Sequence, residues 1–353
     1  MCFLLFYRNN FNRAELIMTT QQQFLDLLSD IEPSTTTVND CSSAHNTLRD
    51  ALEEHNEFSK VHVKTFLSGS YIRNTAVRPT AIGGITQRPD VDIIAVTNHT
   101  KDDEPQIVLD AIHQALKDIG YTDLTVNRRS VNVKLKKVDM DVVPVIANGD
   151  TFLIPDIHLK EWLTTNPPAH TQWTIYVNKQ ANGNFKPLVK LFKWWKRENL
   201  PDLKRPKGFI LECLVAKHMD YNETNYEKLF VHLLETIRDS YELYTSLNWI
   251  PHLEDPGVAG NNVFSAVTAE EFKTFHEKVK EQATIARNAL NETDDDKALT
   301  LWRQVLGSRF PRSTSQRSTN SAGIANSLIR PALGLGLTFP STPVYPNKPG
   351  GFA

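Results

Sequence analysis

Two aspartates separated by one residue, Asp90 and Asp92, are the residues in this chain best suited to chemistry. They head Ile93-Ile94-Ala95-Val96, which reads as a short buried strand. Side chains at i and i+2 of a strand point to one side, so the carboxylates repel each other unless a cation lies between them. Magnesium takes a few carboxylates together with phosphate oxygens. The pair therefore predicts a metal at the lip of a sheet, with a solvated strand end as the competing reading. A second pair, Asp139 and Asp141, lies on another expected strand. Asp141 runs straight into Val142-Val143-Pro144, so it is expected to sit deeper than Asp139. That makes Asp141 the better third carboxylate for two-metal phosphoryl transfer.

A triphosphate also needs donors. Val61, Val63, Thr65 and Leu67 alternate as in a strand that ends at Gly69-Ser70. Glycine lets backbone approach a phosphate, and amides at a following helix start point at an anion. Strand-Gly-Ser turns are common, so Gly69 and Ser70 carry little weight alone. Farther on, Lys186, Lys190, Lys193 and Arg197 share one face of a helix expected over Lys186 to Asn199. Leu188, Leu191, Phe192 and Trp195 take the other face. The basic face is either an ordinary solvated side or a cradle for phosphates. Trp173, Tyr176 and Asn178, in a Pro-rich entry to the later part of the chain, are candidates for holding a base. Packing within a loop is the competing reading for those three.

The elements around these residues set the fold class. Phe24, Leu27, Leu28 and Ile31 recur at helical spacing, and Ala44, Leu48, Ala51 and Leu52 do so after a break at Pro33 to Thr37. Ser70 to Ala76 predicts a short helix, and Arg78 to Gln87, with Pro79, Gly83 and Gly84, a loop. Glu104-Pro105 opens a helix to about Ile119. Strands are expected at Leu124 to Val126, Val131 to Leu135 and Val138 to Ile146, with Pro144 marking an edge or a strand end. After Gly149 the pattern becomes helical, most clearly at Phe209 to Lys217, Tyr226 to Leu247 and Ala269 to Leu290. The prediction is an α+β protein with a mixed sheet core and a C-terminal helical lobe. The core with its N-terminal helices should span residues 18–160, and the lobe 161–312.

Bulk properties narrow the function. The chain has 353 residues and a formal net charge of −2, so no extended nucleic-acid surface is evident. No apolar run approaches the roughly 18 residues of a membrane helix. Cys2, Cys41 and Cys213 are far apart, which fits neither a disulfide scaffold nor a zinc ribbon and suits the cytoplasm. The start, Met1 to Ile17, lacks the layout of a signal peptide, and Met18-Thr19-Thr20 reads as a helix start. Residues 1–17 are expected to be an upstream extension or a loose tail. Residues 313–353, rich in Ser, Thr, Gly and Pro, are expected to be a flexible tail.

The motifs in order, G-S-Y-I-R-N-T-A from Gly69, D-V-D-I from Asp90 and D-V-V-P from Asp141, resemble the bacterial cGAS/DncV-like nucleotidyltransferases, relatives of oligoadenylate synthase. Trp194-Trp195, the segment Arg205 to Glu212 and the segment Asp255 to Val263 extend the similarity over roughly residues 40–312. The resemblance implies a polymerase-beta-like nucleotidyltransferase fold and synthesis of cyclic di- or trinucleotides from NTPs, ATP among them, in anti-phage (CBASS) defence. It implies Mg2+, with Mn2+ as a substitute, on Asp90, Asp92 and Asp141. It also implies phosphate binding by Gly69, Ser70 and a lysine of the later helix, Lys190 first and Lys193 second. One position departs from the family: Gly208 stands where relatives often place a serine that assists phosphate binding. A linear or RNA-modifying nucleotidyltransferase and an inactive nucleotide-binding module stay open as alternatives. The end, Gly350-Gly351-Phe352-Ala353, suits conjugation by an operon-encoded ligase-like partner, and effector partners are expected as well.

Overall fold

Alternation along the chain builds a mixed seven-stranded sheet with two unlike faces. The computed structural model describes residues 20–312, except Gly83, Gly84 and the side chains of residues 81–86. The expected tails, 1–17 and 313–353, lie outside the described residues. β1 (His62–Ser68) pairs antiparallel with β4 (Asp90–Thr97), and β4 pairs parallel with β7 (Asp139–Asn148). β6 (Val131–Lys134) joins β7 antiparallel, and β5 (Leu124–Val126) joins β6. β8 (Thr151–Asp156) and β9 (Glu161–Thr165) continue from the far half of β7. Residues 81–82 and 85–86, expected as loop, form a separate two-stranded ribbon, β2–β3.

A parallel pair needs a crossover, and the segment from β4 to β7 contains α4 (Pro105–Ile119), β5 and β6. Val91, Ile93, Val131, Val133, Met140 and Val142 point to one face and pack with Leu48 and Leu52 of α2 (Thr35–Glu54) and with Leu109, Ile112 and Leu116 of α4. The residues between them, Asp90, Asp92, Asn132, Asp139 and Asp141, therefore face the other way. Pro144 proves to lie in a central strand, which corrects its reading as an edge. Pairing of β7 with β6 ends at Val142 and pairing with β8 begins at Ile146, so Pro144 falls where the neighbour on that side changes.

The later half is helical: α5 (Pro167–Gln180), α6 (Phe185–Asn199), α7 (Gly208–His218), α8 (Tyr226–Ser246), α9 (Ala269–Asn291) and α10 (Asp295–Leu306). It begins at Pro167, after β9, which pairs with β8 along its full length. A helix over residues 20–31, α1, belongs to this half by packing: Phe24, Leu27, Leu28 and Ile31 share a core with Trp194, Trp195, Trp302 and Phe310. Phe24 meets Trp302 edge-on at 4.9 Å. Of the two N-terminal helices, α2 thus packs with the sheet and α1 with the later helices. Trp173, Tyr176 and Asn178 lie on a helix rather than a loop. Asn166 caps it, its side chain accepting from the Ala169 N–H ahead of the Pro167-Pro168 turn.

Candidate active site

Strand register assembles the carboxylates. Asp90 lies opposite Asp139 and Asp92 opposite Asp141 in the parallel β4–β7 ladder. Asp90, Asp92 and Asp141 each offer an oxygen, and these oxygens all lie within 4.8 Å of one another. Asp90 reaches solvent, while Asp92 and Asp141 are half-buried. Asp141 is oriented by Asn132 Nδ2, which donates at 3.1 Å, and by Ser130 Oγ at 3.3 Å. Asp139 instead meets Arg88 at 3.0 Å, outside the trio.

The trio carries more negative charge than its surroundings neutralise. Crowding by protein raises the Asp90 carboxyl to about 8, helped by Asp92, Asp141 and Asp139, with Lys207 pulling the other way. Burial, then Asp141, raises Asp92 to about 6 against the pull of Arg73, Lys193 and Lys207. Asp90 and Asp92 titrate together. An oxygen-only cluster that holds protons near neutral pH suits a hard divalent cation, which would displace those protons.

The Gly69-Ser70 turn is locked against the trio. β1 ends at Ser68, paired with Asp92, and α3 (Gly69–Arg73) begins at once. Gly69 has φ +73°, and a Cβ there would stand 1.6 Å from Asp92 Oδ2. Only glycine meets both demands. Asn74 closes α3 in the left-handed region at φ 56°.

Helix α6 is not a solvated basic stripe. Lys190 is 4 % exposed; its ammonium donates to Glu32 Oε1 at 2.6 Å, with Asn74 Oδ1 at 3.4 Å. Lys193 donates to Glu212 Oε1 at 2.7 Å and to Thr75 O and Oγ1 at 3.1 and 3.2 Å. Arg197 donates to the Arg78 carbonyl and lies over Trp194. The basic face thus turns inward, toward the segment that follows the Gly-Ser turn.

Glu212 of α7, fully buried, is the residue that sequence reading passed over. It accepts from Arg73 Nε at 3.0 Å, Arg73 Nη2 at 3.2 Å and Thr75 Oγ1 at 2.9 Å, besides Lys193. Burial pushes its pKa up, but Lys193 and Arg73 overcome that and hold it at about 2. Gly208 now has a spatial account: a Cβ there would meet Lys193 Cε at 3.3 Å and Nζ at 3.4 Å, so the missing side chain leaves room for this ammonium. Lys207, next to it, was also passed over, though its charge reaches Asp90 and Asp92. Of the base-holding candidates, Trp173 packs against Phe185 and Phe209, Asn178 accepts from the Lys186 N–H, and Tyr176 is exposed.

Comparison with known proteins follows the same line. Residues 18–178 match the Second Messenger Oligonucleotide or Dinucleotide Synthetase domain. The chain is 84 % identical over 341 residues to a cyclic AMP-AMP-AMP synthase of an Acinetobacter species, covering 96 % of this chain and 99 % of that one. It is 29 % identical to a cyclic AMP-AMP-GMP synthase of Enterobacter hormaechei, over 95 % and 100 % of the two chains. In fold it is similar to the CD-NTase CdnG of Bradyrhizobium diazoefficiens, solved with GTP, at TM-score 0.68 and 12 % identity over 82 % of this chain and 94 % of that one. With this degree of likeness along nearly its whole length, the chain belongs to the cGAS/DncV-like nucleotidyltransferases, bacterial enzymes that build cyclic oligonucleotide second messengers in anti-phage defence.

Proposed function

We propose that this enzyme joins three ATP molecules into cyclic AMP-AMP-AMP. The observation that carries the reaction is the trio of Asp90, Asp92 and Asp141, brought within 4.8 Å by strand register beside Gly69. The choice of product is supported by the relative at 84 % identity. Asp90, Asp92 and Asp141 would hold Mg2+, or Mn2+ in its stead. Bound there, the metal would stabilise charge on the attacking and leaving oxygens.

The chain's own residues do the rest. Ser70 and the first amides of α3 hold the β- and γ-phosphates of the donor nucleotide. Lys190, beside Asn74 at the end of that turn, reaches the triphosphate by exchanging Glu32 for it. Lys193 acts from behind, through Thr75 and Glu212. Asp141, held by Asn132 and Ser130, faces the acceptor hydroxyl and takes its proton. The acceptor oxygen bonds to the α-phosphorus, the bond from that phosphorus to the β-phosphate bridge breaks, and pyrophosphate leaves. Free buried thiols at Cys41 and Cys213 support a cytoplasmic setting.

The test is incubation of the chain with Mg2+ and ATP alone, then with all four NTPs. Phosphatase-resistant products are read by mass spectrometry. A cyclic triadenylate from ATP alone is expected. A linear chain, a cyclic dinucleotide or a need for a second base would overturn the assignment.

A further inference from the structure

The segment Asp255 to Val263, between α8 and α9, folds back on itself and onto the start of α5. The Asp255 N–H donates to the Asn261 carbonyl at 2.8 Å, and the Val263 N–H to the Leu253 carbonyl at 2.9 Å. Asn262 Oδ1 accepts from the N–H groups of Leu253 and Phe264, both at 3.0 Å. Asn261 Nδ2 reaches the Thr164 carbonyl, in β9, at 3.4 Å. Asp255 is thereby presented in a fixed place, and His170 of α5 donates from Nε2 to its Oδ1 at 2.7 Å.

Gly257 closes in on the same imidazole. A Cβ there would stand 2.4 Å from His170 Cδ2 and 2.7 Å from Nε2. Gly257 is not among the glycines with positive φ, so the need is for space rather than for backbone freedom. Its N–H donates to Asp255 Oδ1 as well, at 2.8 Å.

The imidazole packs on Phe209 of α7, with ring centroids 4.5 Å apart. The Arg73 guanidinium lies over that same phenyl ring, 5.1 Å from its centroid. Glu212 takes the N–H edge of the guanidinium, and Phe209 takes its face. Arg73 is the last residue of α3, the short helix that starts at Gly69, and the Thr75 N–H ties off that helix on the Ser70 carbonyl at 3.0 Å. Contacts thus lead from Asp255 to His170, from His170 to Phe209 and from Phe209 to Arg73, at the end of the turn that lies against Asp92.

We infer that His170 is a positioning residue for nucleotidyl transfer: oriented by Asp255, it holds Phe209 against Arg73 and so fixes the Gly69-Ser70 turn beside Asp92. This rests on the nucleotidyl-transfer reading above. A turn that has shifted still meets phosphate but no longer aligns it. Misplacement by about 1 Å, caused from far away, can cost about a hundredfold in rate. The loss therefore falls on kcat rather than on KM.

The test is steady-state pyrophosphate release from ATP with saturating Mg2+, per mole of folded protein, well below each variant's melting temperature. His170→Ala should lower kcat by about tenfold or more and leave the ATP KM within about threefold. Gly257→Ala, which drives a methyl group against the imidazole from the far side of the contact, should do the same. His170→Phe keeps a ring on Phe209 and should recover kcat to within about threefold of the unmodified chain. Phe209→Leu should match His170→Ala, and the double variant should be slower than either by no more than about twofold, since both act through Arg73. Unchanged kcat in both His170→Ala and Gly257→Ala, with only a lower melting temperature, would overturn the inference. So would a raised KM with kcat intact, multiplied losses in the double variant, or no recovery in His170→Phe. If His170→Ala does not fold, Gly257→Ala and His170→Phe decide by the same criteria. An unmodified chain that releases no pyrophosphate from any NTP would remove the nucleotidyl-transfer reading, and this inference with it.

Discussion

Glu212 and the trio of Asp90, Asp92 and Asp141 both adjoin the segment from Ser68 to Thr75, and the protein treats them in opposite ways. Glu212 is fully buried and met by Arg73, Lys193 and Thr75, so it stays ionised far below its ordinary range. Asp90, Asp92 and Asp141 are less buried, yet Asp90 and Asp92 are raised, because the acids meet one another and the cations behind them do not suffice. Burial alone therefore does not decide the state of an acid; the supply of counter-charge does. The first group is complete within the chain and acts as a strut between sheet and helices. The second lacks such a complement among the described residues, and a divalent cation would supply it.

The largest effect that would sharpen this contrast is in activity. Asp92→Asn should cut the rate of product formation by roughly a thousandfold, the scale of several kcal/mol of charge stabilisation lost at the reacting centre. The same substitution should raise the melting temperature of the metal-free protein at pH 8, since it removes a repelled charge. A melting temperature that falls instead would break the comparison. Glu212→Ala should do the reverse, destabilising the fold by about 3–5 kcal/mol in denaturant titrations, because Arg73 and Lys193 are left buried without a counter-charge. Glu212→Gln should cost less, keeping part of the hydrogen bonding.

The pH dependence comes next. Asp90 and Asp92 have folded-state pKa values above their unfolded ones, so the native state binds more protons than the unfolded chain. Their contribution is most favourable below about pH 4 and is lost as pH rises through about 6 and then about 8. Melting of the metal-free protein should therefore show this contribution weakening between pH 5 and 8. Saturating Mg2+ at pH 8 should restore stability by about 2.7 kcal/mol at a hundredfold excess over its Kd. A Mg2+ effect equal at pH 5 and pH 8 would count against the trio as its site. The smallest effect belongs to Asp139→Asn. Its partner Arg88 is partly exposed, so stability should change by no more than about 1 kcal/mol and activity by less than twofold. A loss as large as that of Asp92→Asn would place Asp139 inside the metal site.

What could be read from the sequence follows the same division. The trio was legible because strand period places Asp90 beside Asp92, and because the apolar run after Asp141 sets it into the sheet. The helices α6 to α9 were legible from apolar periodicity. Glu212 was not, because its partner Arg73 is 139 residues away and nothing local marks an acid as buried. The inward turn of Lys190 depends likewise on Glu32, 158 residues away. β9 was missed because Glu161-Trp162-Leu163-Thr164-Thr165 shows no clean alternation, and its pairing with β8 supplies the strand. α5 was hidden by Pro167-Pro168, which suggest a loop until Asn166 is seen to cap them.

The separation of Arg73 from Glu212 also bears on the order of assembly. A growing chain emerges from the ribosome N-terminus first. By the time β9 ends at Thr165, all three carboxylates and the glycine turn have been made. Arg73 still lacks its acid, and α6 and α7 are still to come. A chain that stalls or is cut before Glu212 thus carries all three carboxylates but not the acid that meets Arg73 and Thr75 after the turn. Until Glu212 is made, Arg73 and Thr75 lack the carboxylate that joins the segment after the turn to the helical half.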